Sequence, residues 1–100
     1  MKLITSGLNK IFDSRIRLGI MAALSVNDVL DFNTLKELLD ISDGNLASHL
    51  KTLEKNKLIE VRKQFIERKP NTSYCISQSG LNMFKQHVNA LEKIINPLKI

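Results

Sequence analysis

A group of short polar and basic side chains shares one face of a helix predicted within residues 41–54. Leu46, Leu50 and Leu53 recur at helical spacing and predict the buried side of this helix. The opposite side combines hydrogen-bonding groups with positive charge: Asn45, Ser48, His49, Lys51, Thr52 and Lys55. A face that meets only water usually pairs Glu with Lys, but here Glu54 is the one carboxylate. This face therefore suits a negatively charged partner that also offers hydrogen bonds, and DNA is the first candidate.

The charge of the chain is placed in blocks that favour the same kind of partner. The 100 residues carry a formal net charge of +5. Residues 26–44 are net negative, whereas residues 45–69 are net positive. A basic stripe of this kind is the electrostatic pattern of a phosphate binder. A solvated basic face is the alternative interpretation.

Length and composition exclude several classes of protein. One hundred residues allow one domain, or one domain with a dimerising helix. No apolar run approaches the roughly 20 residues that span a bilayer, and the N-terminus is unlike a signal peptide, so we expect a soluble cytoplasmic protein without a membrane partner. One cysteine, Cys75, and two histidines cannot supply a four-ligand zinc site. No catalytic constellation or phosphate-binding glycine loop is present, so neither an enzyme nor a cofactor is expected.

Two helices are predicted before the charged face. Residues 3–12 place apolar side chains at roughly helical spacing. A second apolar stripe runs to about residue 25, with Asp13 or Ser14 as its N-cap. Arg15 and Arg17 lie off this stripe. We interpret Arg15 as surface charge, although either arginine could touch a phosphate or a partner's carboxylate.

A helix-turn-helix pattern occupies residues 33–55. Asn33 or Thr34 is predicted to cap a helix over residues 34–40. Ser42 is a good N-cap for the helix that carries the charged face. The inward side chains predicted for the first helix are Leu35, Leu38 and Leu39. Two short helices with a tight connection are typical of a helix-turn-helix, but other helical hairpins share this pattern.

A β-hairpin with a basic tip is predicted over residues 58–76. The apolar residues of its first strand alternate, and Pro70 is expected to block ladder pairing in a turn over residues 67–71. Phe65 and Tyr74 are expected to pack the hairpin against the core. A tip that carries Arg68 and Lys69 suits DNA phosphates or a minor groove. Alternatively, the tip is polar only because it is exposed.

The last predicted helix, over residues 78–96 with Ser77 as its cap, carries a long apolar seam. The seam has the spacing 3, 4, 3, 4, 3 of a and d positions: Leu81, Phe84, Val88, Leu91, Ile95 and Leu98. Docking on the same domain needs only part of this seam, and the rest would expose an apolar patch in a monomer. A two-fold homodimer is the economical solution. The alternative is a helix folded back entirely on its own domain.

Four motifs along the chain resemble the winged-helix transcriptional regulators of the ArsR/MarR type, in particular their small single-domain group. They are Arg-Leu-Gly-Ile-Met at 17–21, Phe-Asn-Thr-Leu-Lys at 32–36, Gly-Asn-Leu-Ala-Ser-His-Leu-Lys-Thr-Leu-Glu at 44–54, and Pro-Asn-Thr-Ser-Tyr at 70–74. The resemblance implies an α+β, mainly α, fold: a single winged-helix domain over residues 1–100 with a two-stranded wing. Its parts would be an N-terminal helix (1–12), a helix-turn-helix (33–55), the wing (58–76) and a dimerisation helix (78–96).

The same resemblance implies a sequence-specific transcriptional regulator, a repressor, that binds a pseudo-palindromic site on double-stranded DNA as a homodimer. Recognition helices over residues 43–55 would enter major grooves about one helical turn apart, and wings over residues 62–72 would reach the flanking DNA. The base-reading residues would be Asn45, Ser48 and His49. The phosphate contacts would be Lys51, Thr52, Lys55, Arg62, Arg68 and Lys69. The dimer interface would be the seam of the last helix. The competing hypothesis is a protein–protein interaction module whose helix face meets an acidic protein surface.

Three features depart from these relatives or stay open. The relatives usually have a glycine after the recognition helix, so here Asn56 or Lys57 must adopt the left-handed conformation. Their metal-sensing motifs are missing, and no metal is expected. Any small-molecule effector is unknown. His49 could contact DNA, or it could pack within the motif and never meet a base.

Overall fold

Residues 5–96, which the computed structural model describes, form four α-helices and a three-stranded antiparallel sheet. The helices are α1 (Arg15–Ser25), α2 (Phe32–Leu39), α3 (Asp43–Lys55) and α4 (Gln78–Ile95). The strands are β1 (Leu30–Asp31), β2 (Ile59–Ile66) and β3 (Lys69–Ile76), in the order β1-β3-β2. The predicted α+β, mainly α, winged-helix architecture is confirmed.

The core lies between α1, α2 and α3. Ile20, Met21 and Leu24 form the buried stripe of α1, and Leu35 is the buried residue of α2. The three leucines predicted as the inner side of α3 are buried with them: Leu46, Leu50 and Leu53. Burial of such side chains stabilises the fold by roughly 1.5–3 kcal/mol each. The opposite face of α3 is therefore held outward by its own core stripe.

Side-chain caps set where the helices begin. Ser14 rather than Asp13 caps α1, and Ser42 and Ser77 cap α3 and α4 as predicted. The predicted start of α2 is wrong, because Asp31 is its cap and its carboxylate accepts the backbone N–H of Thr34 at 2.8 Å. This hydrogen bond lowers the pKa of Asp31 below its ordinary value. Asp31 also pairs with β3, so α2 begins directly after β1 with no loop between them.

The inward side of α2 is narrower than predicted. Leu35 is fully buried and Leu39 is half-buried, but Leu38 is 60% exposed. A helix of eight residues turns only one narrow side toward α1 and α3. Leu38 lies one residue before Leu39, about 100° away around the helix, so the prediction for Leu38 is wrong.

The hairpin turn is tighter than predicted and consists of Glu67 and Arg68, with φ values of 52° and 67°. Two consecutive positive φ values are those of a two-residue hairpin turn. The prediction that Pro70 blocks pairing is wrong, since Pro70 lies in β3 opposite Phe65. This pair is the second from the turn, a position without ladder hydrogen bonds, so the missing N–H of proline costs nothing there.

The N-terminal helix predicted over residues 1–12 is much shorter where the structure describes it. Between residues 5 and 12 it is a single 3-10 turn, Lys10–Phe12, which the Asn9 side chain caps. Gly7 and the cap at Asn9 interrupt any longer helix. The apolar residues Leu3 and Ile4 lie outside the described residues.

The recognition-helix candidate α3 ends in a Schellman motif. The N–H of Leu58 donates to the carbonyl of Leu53 at 3.0 Å, and that of Lys57 donates to the carbonyl of Glu54 at 2.9 Å. This geometry needs one left-handed residue. Lys57 takes that conformation with φ of 61°, whereas Asn56 stays at −88°.

Lys57→Gly is expected to raise the free energy of unfolding by about 1 kcal/mol, because a left-handed conformation strains a side chain but not glycine. Chemical denaturation of the variant and the unmodified chain measures this difference. Asn56→Gly is the control and should not stabilise, since Asn56 has an ordinary φ. Equal stabilisation by both changes would contradict the assignment of the strain to Lys57.

Candidate nucleic-acid interface

The outer face of α3 is open along its length. Asn45, Ser48, Lys51 and Lys55 are all exposed. A Cβ added to Gly44 would meet no atom within 4 Å, so the first turn of α3 is open at this position. These side chains point away from the leucine stripe because their positions lie on the far side of the helix. The structure therefore presents four of the predicted DNA-contacting side chains to solvent on the outer face of α3.

Two other predicted contact residues of α3 are already engaged. Thr52 is half-buried, and its hydroxyl donates to the carbonyl of Ser48 at 3.2 Å. His49 is also half-buried, and its Nδ1 lies 3.1 Å from Nη1 of Arg17 on α1. Burial, and secondly the charge of Arg17, lower the pKa of His49 below its ordinary value. His49 therefore differs from Asn45 and Ser48, since its Nδ1 already contacts Arg17 within the protein.

The wing carries its positive charge along exposed β2 and around the turn. Arg62, Arg68 and Lys69 are exposed. Phe65 is 77% exposed, so the prediction that it packs the wing against the core is wrong. It lies near the tip of the hairpin, opposite Pro70 and one residue before the end of β2. Tyr74, nearer the base of the wing, is buried as predicted.

A cleft of about 230 Å³ separates α3 from the wing. Lys51 and Glu54 line its helix side, and Val61, Lys63 and Tyr74 line its sheet side. Burial and the nearby Glu54 carboxylate raise the pKa of Tyr74 above its ordinary value. The fold thus places Lys51 and Lys63 on the two sides of one cleft.

The cations of this surface form no ion pairs within residues 5–96. An ion pair joins Lys36 of α2 to Asp43 in the first turn of α3 at 2.8 Å. Among the described residues, no carboxylate forms such a pair with the cations that face outward from α3 and the wing: Lys51, Lys55, Arg62, Lys63, Arg68 and Lys69. Their charge is therefore available to an anionic partner.

The seam predicted on the last helix divides between two environments. Phe84 is buried in its own domain, with its ring 5.9 Å from that of Phe12 in an edge-on contact. Leu81 and Leu91 are half-buried, whereas Val88 and Ile95 are 41% and 76% exposed. Leu98 lies outside the described residues. Phe84 therefore packs within its own chain, while Val88 and Ile95 remain exposed.

His87 has a structural role that the sequence did not indicate. It is 4% exposed, its Nδ1 accepts the backbone N–H of Asn9 at 3.1 Å, and its ring lies 5.0 Å from that of Phe12. These contacts fasten the N-terminal segment to α4. Asn9 and His87 are 78 residues apart, so no local pattern points to this pair.

Residues 5–96 contain neither a cluster of metal-binding side chains nor a helix that could span a membrane. Over this range no three His, Cys, Asp or Glu side chains come together in a way that could hold a metal ion. No helix there is both long enough and apolar enough to cross a membrane.

The surface formed by α3 and the wing lies in a region that matches a known protein family. Residues 16–95 match the family described as winged helix DNA-binding domain. The chain belongs to this family. The match spans α1 to α4 and contains both the exposed face of α3 and the wing. This winged-helix chain is a DNA-binding domain and not an enzyme.

Similar proteins include regulators from archaea and bacteria. An uncharacterized protein of Methanocaldococcus jannaschii is 39% identical over 79 residues, covering 79% of this chain and 86% of that protein. The structure of a transcriptional regulator homologue from Pyrococcus horikoshii OT3 is 32% identical with a TM-score of 0.83, covering 92% and 91% of the two chains. ZitR of Lactococcus lactis, a zinc-responsive MarR family member, shares the fold at 21% identity and a TM-score of 0.65, covering 86% of this chain and 58% of that one. The predicted winged-helix fold is confirmed and is shared with this MarR family member, and the findings support a DNA-binding regulator.

Proposed function

We propose that this winged-helix chain is a sequence-specific transcriptional regulator that binds double-stranded DNA as a homodimer. The observation that carries the proposal is the exposed, unneutralised surface formed by α3 and the wing. On this proposal α3 enters the major groove, and the wing reaches the flanking backbone or minor groove. The dimer acts as a repressor by occluding a promoter.

The side chains of this surface divide by their chemistry into two groups. Asn45 can pair with N6 and N7 of adenine, and Ser48 can donate to or accept from a base edge. Basic side chains contact phosphates, which set affinity and register but carry no sequence information. In our proposal the side chains that contact phosphates are Lys51, Thr52, Lys55, Arg62, Arg68 and Lys69. Thr52 would do so by donating its hydroxyl proton to a phosphate oxygen in place of the Ser48 carbonyl.

The homodimer is supported by the apolar side chains that α4 leaves uncovered. Val88 and Ile95 face outward seven residues apart, two helical turns along one side. A two-fold axis beside this stripe would bury the same patch of both copies. Two α3 helices would then face one side of a duplex, about one helical turn apart.

Titration with duplex DNA at several salt concentrations tests the proposed function directly. A dimer that neutralises about six phosphates should show a log–log slope of affinity against salt near −5. Selection of bound sequences from random duplexes would reveal the half-site. If the protein fails to bind even mixed genomic fragments at low salt, the surface instead serves an acidic protein partner.

Asn45→Ala and Lys69→Ala are expected to weaken DNA binding in different ways. Asn45→Ala should reduce the preference for the selected site by about 1–3 kcal/mol, because a base contact is lost. Lys69→Ala should weaken binding to all sequences alike and reduce the magnitude of the salt slope by about 2 for the dimer, because each protomer loses one phosphate contact. Fluorescence anisotropy with selected and scrambled duplexes measures both effects.

Lys93→Ala is the matched control for charge, since Lys93 is exposed on α4, away from α3 and the wing and off the apolar seam. It should leave both duplexes bound nearly as tightly as before. A loss of affinity on scrambled DNA equal to that on the selected site would show that Asn45 does not read a base.

A further inference from the structure

Arg17 links three elements next to the proposed DNA surface. Its backbone N–H is held by the Ser14 cap at 3.2 Å, and its Nε donates to the carbonyl of Ile11 at 2.6 Å. Its Nη1 lies 3.1 Å from Nδ1 of His49. The guanidinium is therefore fixed at two of its nitrogens, one toward the N-terminal segment and one toward α3.

The contact between Arg17 and His49 defines the protonation state of the imidazole. An arginine guanidinium has donors only, so Nδ1 of His49 must accept this hydrogen bond. The ring proton is then on Nε2, because the bond made by one ring nitrogen determines the tautomer. A doubly protonated ring could not accept from Arg17 and would add a second positive charge.

The other ring nitrogen of His49 is free to meet a ligand. Nε2 has no hydrogen-bond partner among residues 5–96. It is not buried either, because Ser73 Oγ is the single side-chain polar atom in that range that is both buried and unpaired. Solvent therefore reaches Nε2. His49 is tied inward through one nitrogen and presents an N–H outward through the other, on the flank of α3 next to Asn45.

We propose that Arg17 is a positioning residue for DNA recognition, which holds His49 as the neutral tautomer whose Nε2–H donates to an acceptor on DNA. The inference rests on the proposed function of α3. Acceptors in the major groove are N7 and O6 of guanine, N7 of adenine and O4 of thymine, and phosphate oxygens are acceptors as well. Without Arg17 the ring could rotate or change tautomer and present an acceptor that repels all of these atoms.

The electrostatics around His49 are consistent with a neutral ring. Burial comes first among the causes that lower its pKa, and the charge of Arg17 on α1 is the second. Among the described groups, Arg17 is the charged group that acts on this ring. Because the folded protein resists protonation of His49, the contact persists at neutral pH and is lost as the pH falls through this lowered pKa.

Nuclear magnetic resonance of the imidazole nitrogens tests the tautomer in the unmodified protein without any substitution. Nδ1 of His49 should be unprotonated and Nε2 protonated at neutral pH. In Arg17→Met the two tautomers should mix, and the pKa of His49 should rise toward 6.5, its ordinary value, because one of the two lowering causes is removed. Arg15→Met removes the same charge from an exposed site one turn or less away and should change neither property.

DNA-binding measurements test whether the contact between Arg17 and His49 contributes to recognition. They compare the same proteins with His49→Ala and with the double variant that carries both Arg17→Met and His49→Ala. Arg17→Met should weaken binding to the selected duplex by about three- to tenfold per half-site, which corresponds to the loss of one neutral hydrogen bond in each protomer. His49→Ala should have a similar effect, and the double variant should be no weaker than His49→Ala, because both changes remove one contact. A loss confined to the selected duplex assigns the acceptor to a base, and an equal loss on scrambled DNA assigns it to a phosphate; both support the proposal.

Three results would overturn the proposal while DNA binding by the unmodified protein stands. They are a proton on Nδ1 of His49, an equal loss of affinity in Arg17→Met and Arg15→Met, or additive losses in the double variant. The last two would mean that Arg17 acts on DNA through its own charge. If the unmodified protein binds no DNA at all, the proposed function fails, and the role of Arg17 in recognition fails with it.

Discussion

Gly80→Ala is expected to lower the free energy of unfolding by about 3 kcal/mol, at the upper end of the range for overpacked cores. A Cβ on Gly80 would collide with the carbonyl oxygen of Leu58 and would lie 2.8 Å from its carbonyl carbon. Leu58 cannot retreat, because it is buried between α3 and β2 and its carbonyl accepts the backbone N–H of Ser77 at 3.0 Å. The clash would separate the start of α4 from the end of the Schellman motif.

Chemical denaturation, followed by circular dichroism, measures the effect of Gly80→Ala. Gly44→Ala is the matched control, since nothing lies within 4 Å of an added Cβ there and alanine favours a helix. The control should be neutral or slightly stabilising. Destabilisation of less than about 1 kcal/mol by Gly80→Ala would contradict the tight contact between α4 and Leu58.

Val88→Glu is expected to convert the proposed homodimer into a monomer. The side chain of Val88 is 41% exposed in one chain, so the fold of the protomer tolerates a carboxylate there. In a two-fold interface two such carboxylates would be desolvated without partners, at a cost of about 3 kcal/mol or more. Dimerisation should therefore weaken by about 100-fold or more, and the affinity for a two-half-site duplex should fall with it.

Sedimentation equilibrium at micromolar concentration measures the assembly, with thermal unfolding as a check on the protomer. Gln86→Glu is the matched control, because it adds the same charge at an exposed polar position about 160° around α4 from Val88. It should leave both assembly and DNA affinity nearly unchanged. A mass near 11.4 kDa for the unmodified chain would reject the dimer itself. A dimer that survives Val88→Glu would place the interface elsewhere.

Helix ends and stripes were predictable where their signals are local. Ser42 and Ser77 each lie at the start of a periodic apolar stripe, and a cap hydroxyl reaches only two or three residues along the chain. The leucines of α3 repeat at helical spacing, so their burial could be read without a partner surface. The charge of the exposed face followed from the same periodicity.

Errors arose where a long-range contact overrides the local pattern. Asp31 caps α2 because pairing with Ser73 of β3 leaves it extended at that point, and the partner strand lies more than 40 residues away. Phe65 has the alternation of a buried strand residue, but the hairpin extends beyond the helices that would cover it. Glu67 and Arg68 form a turn that usually favours asparagine and glycine, and the ladder on both sides holds them there.

The sequence by itself determined the helix-turn-helix, the outward polar and basic face of α3 and the basic hairpin, because periodicity, caps and charge depend on near neighbours. The winged-helix architecture followed from the resemblance of four motifs to a known family. Only the tertiary structure decided which of these side chains are free. It tied His49 to Arg17 across 32 residues, buried Phe84 and His87 within the protomer, and left Val88 and Ile95 uncovered. Such pairings depend on how whole elements pack, since contacts between residues distant in the chain form only when the core brings their helices together.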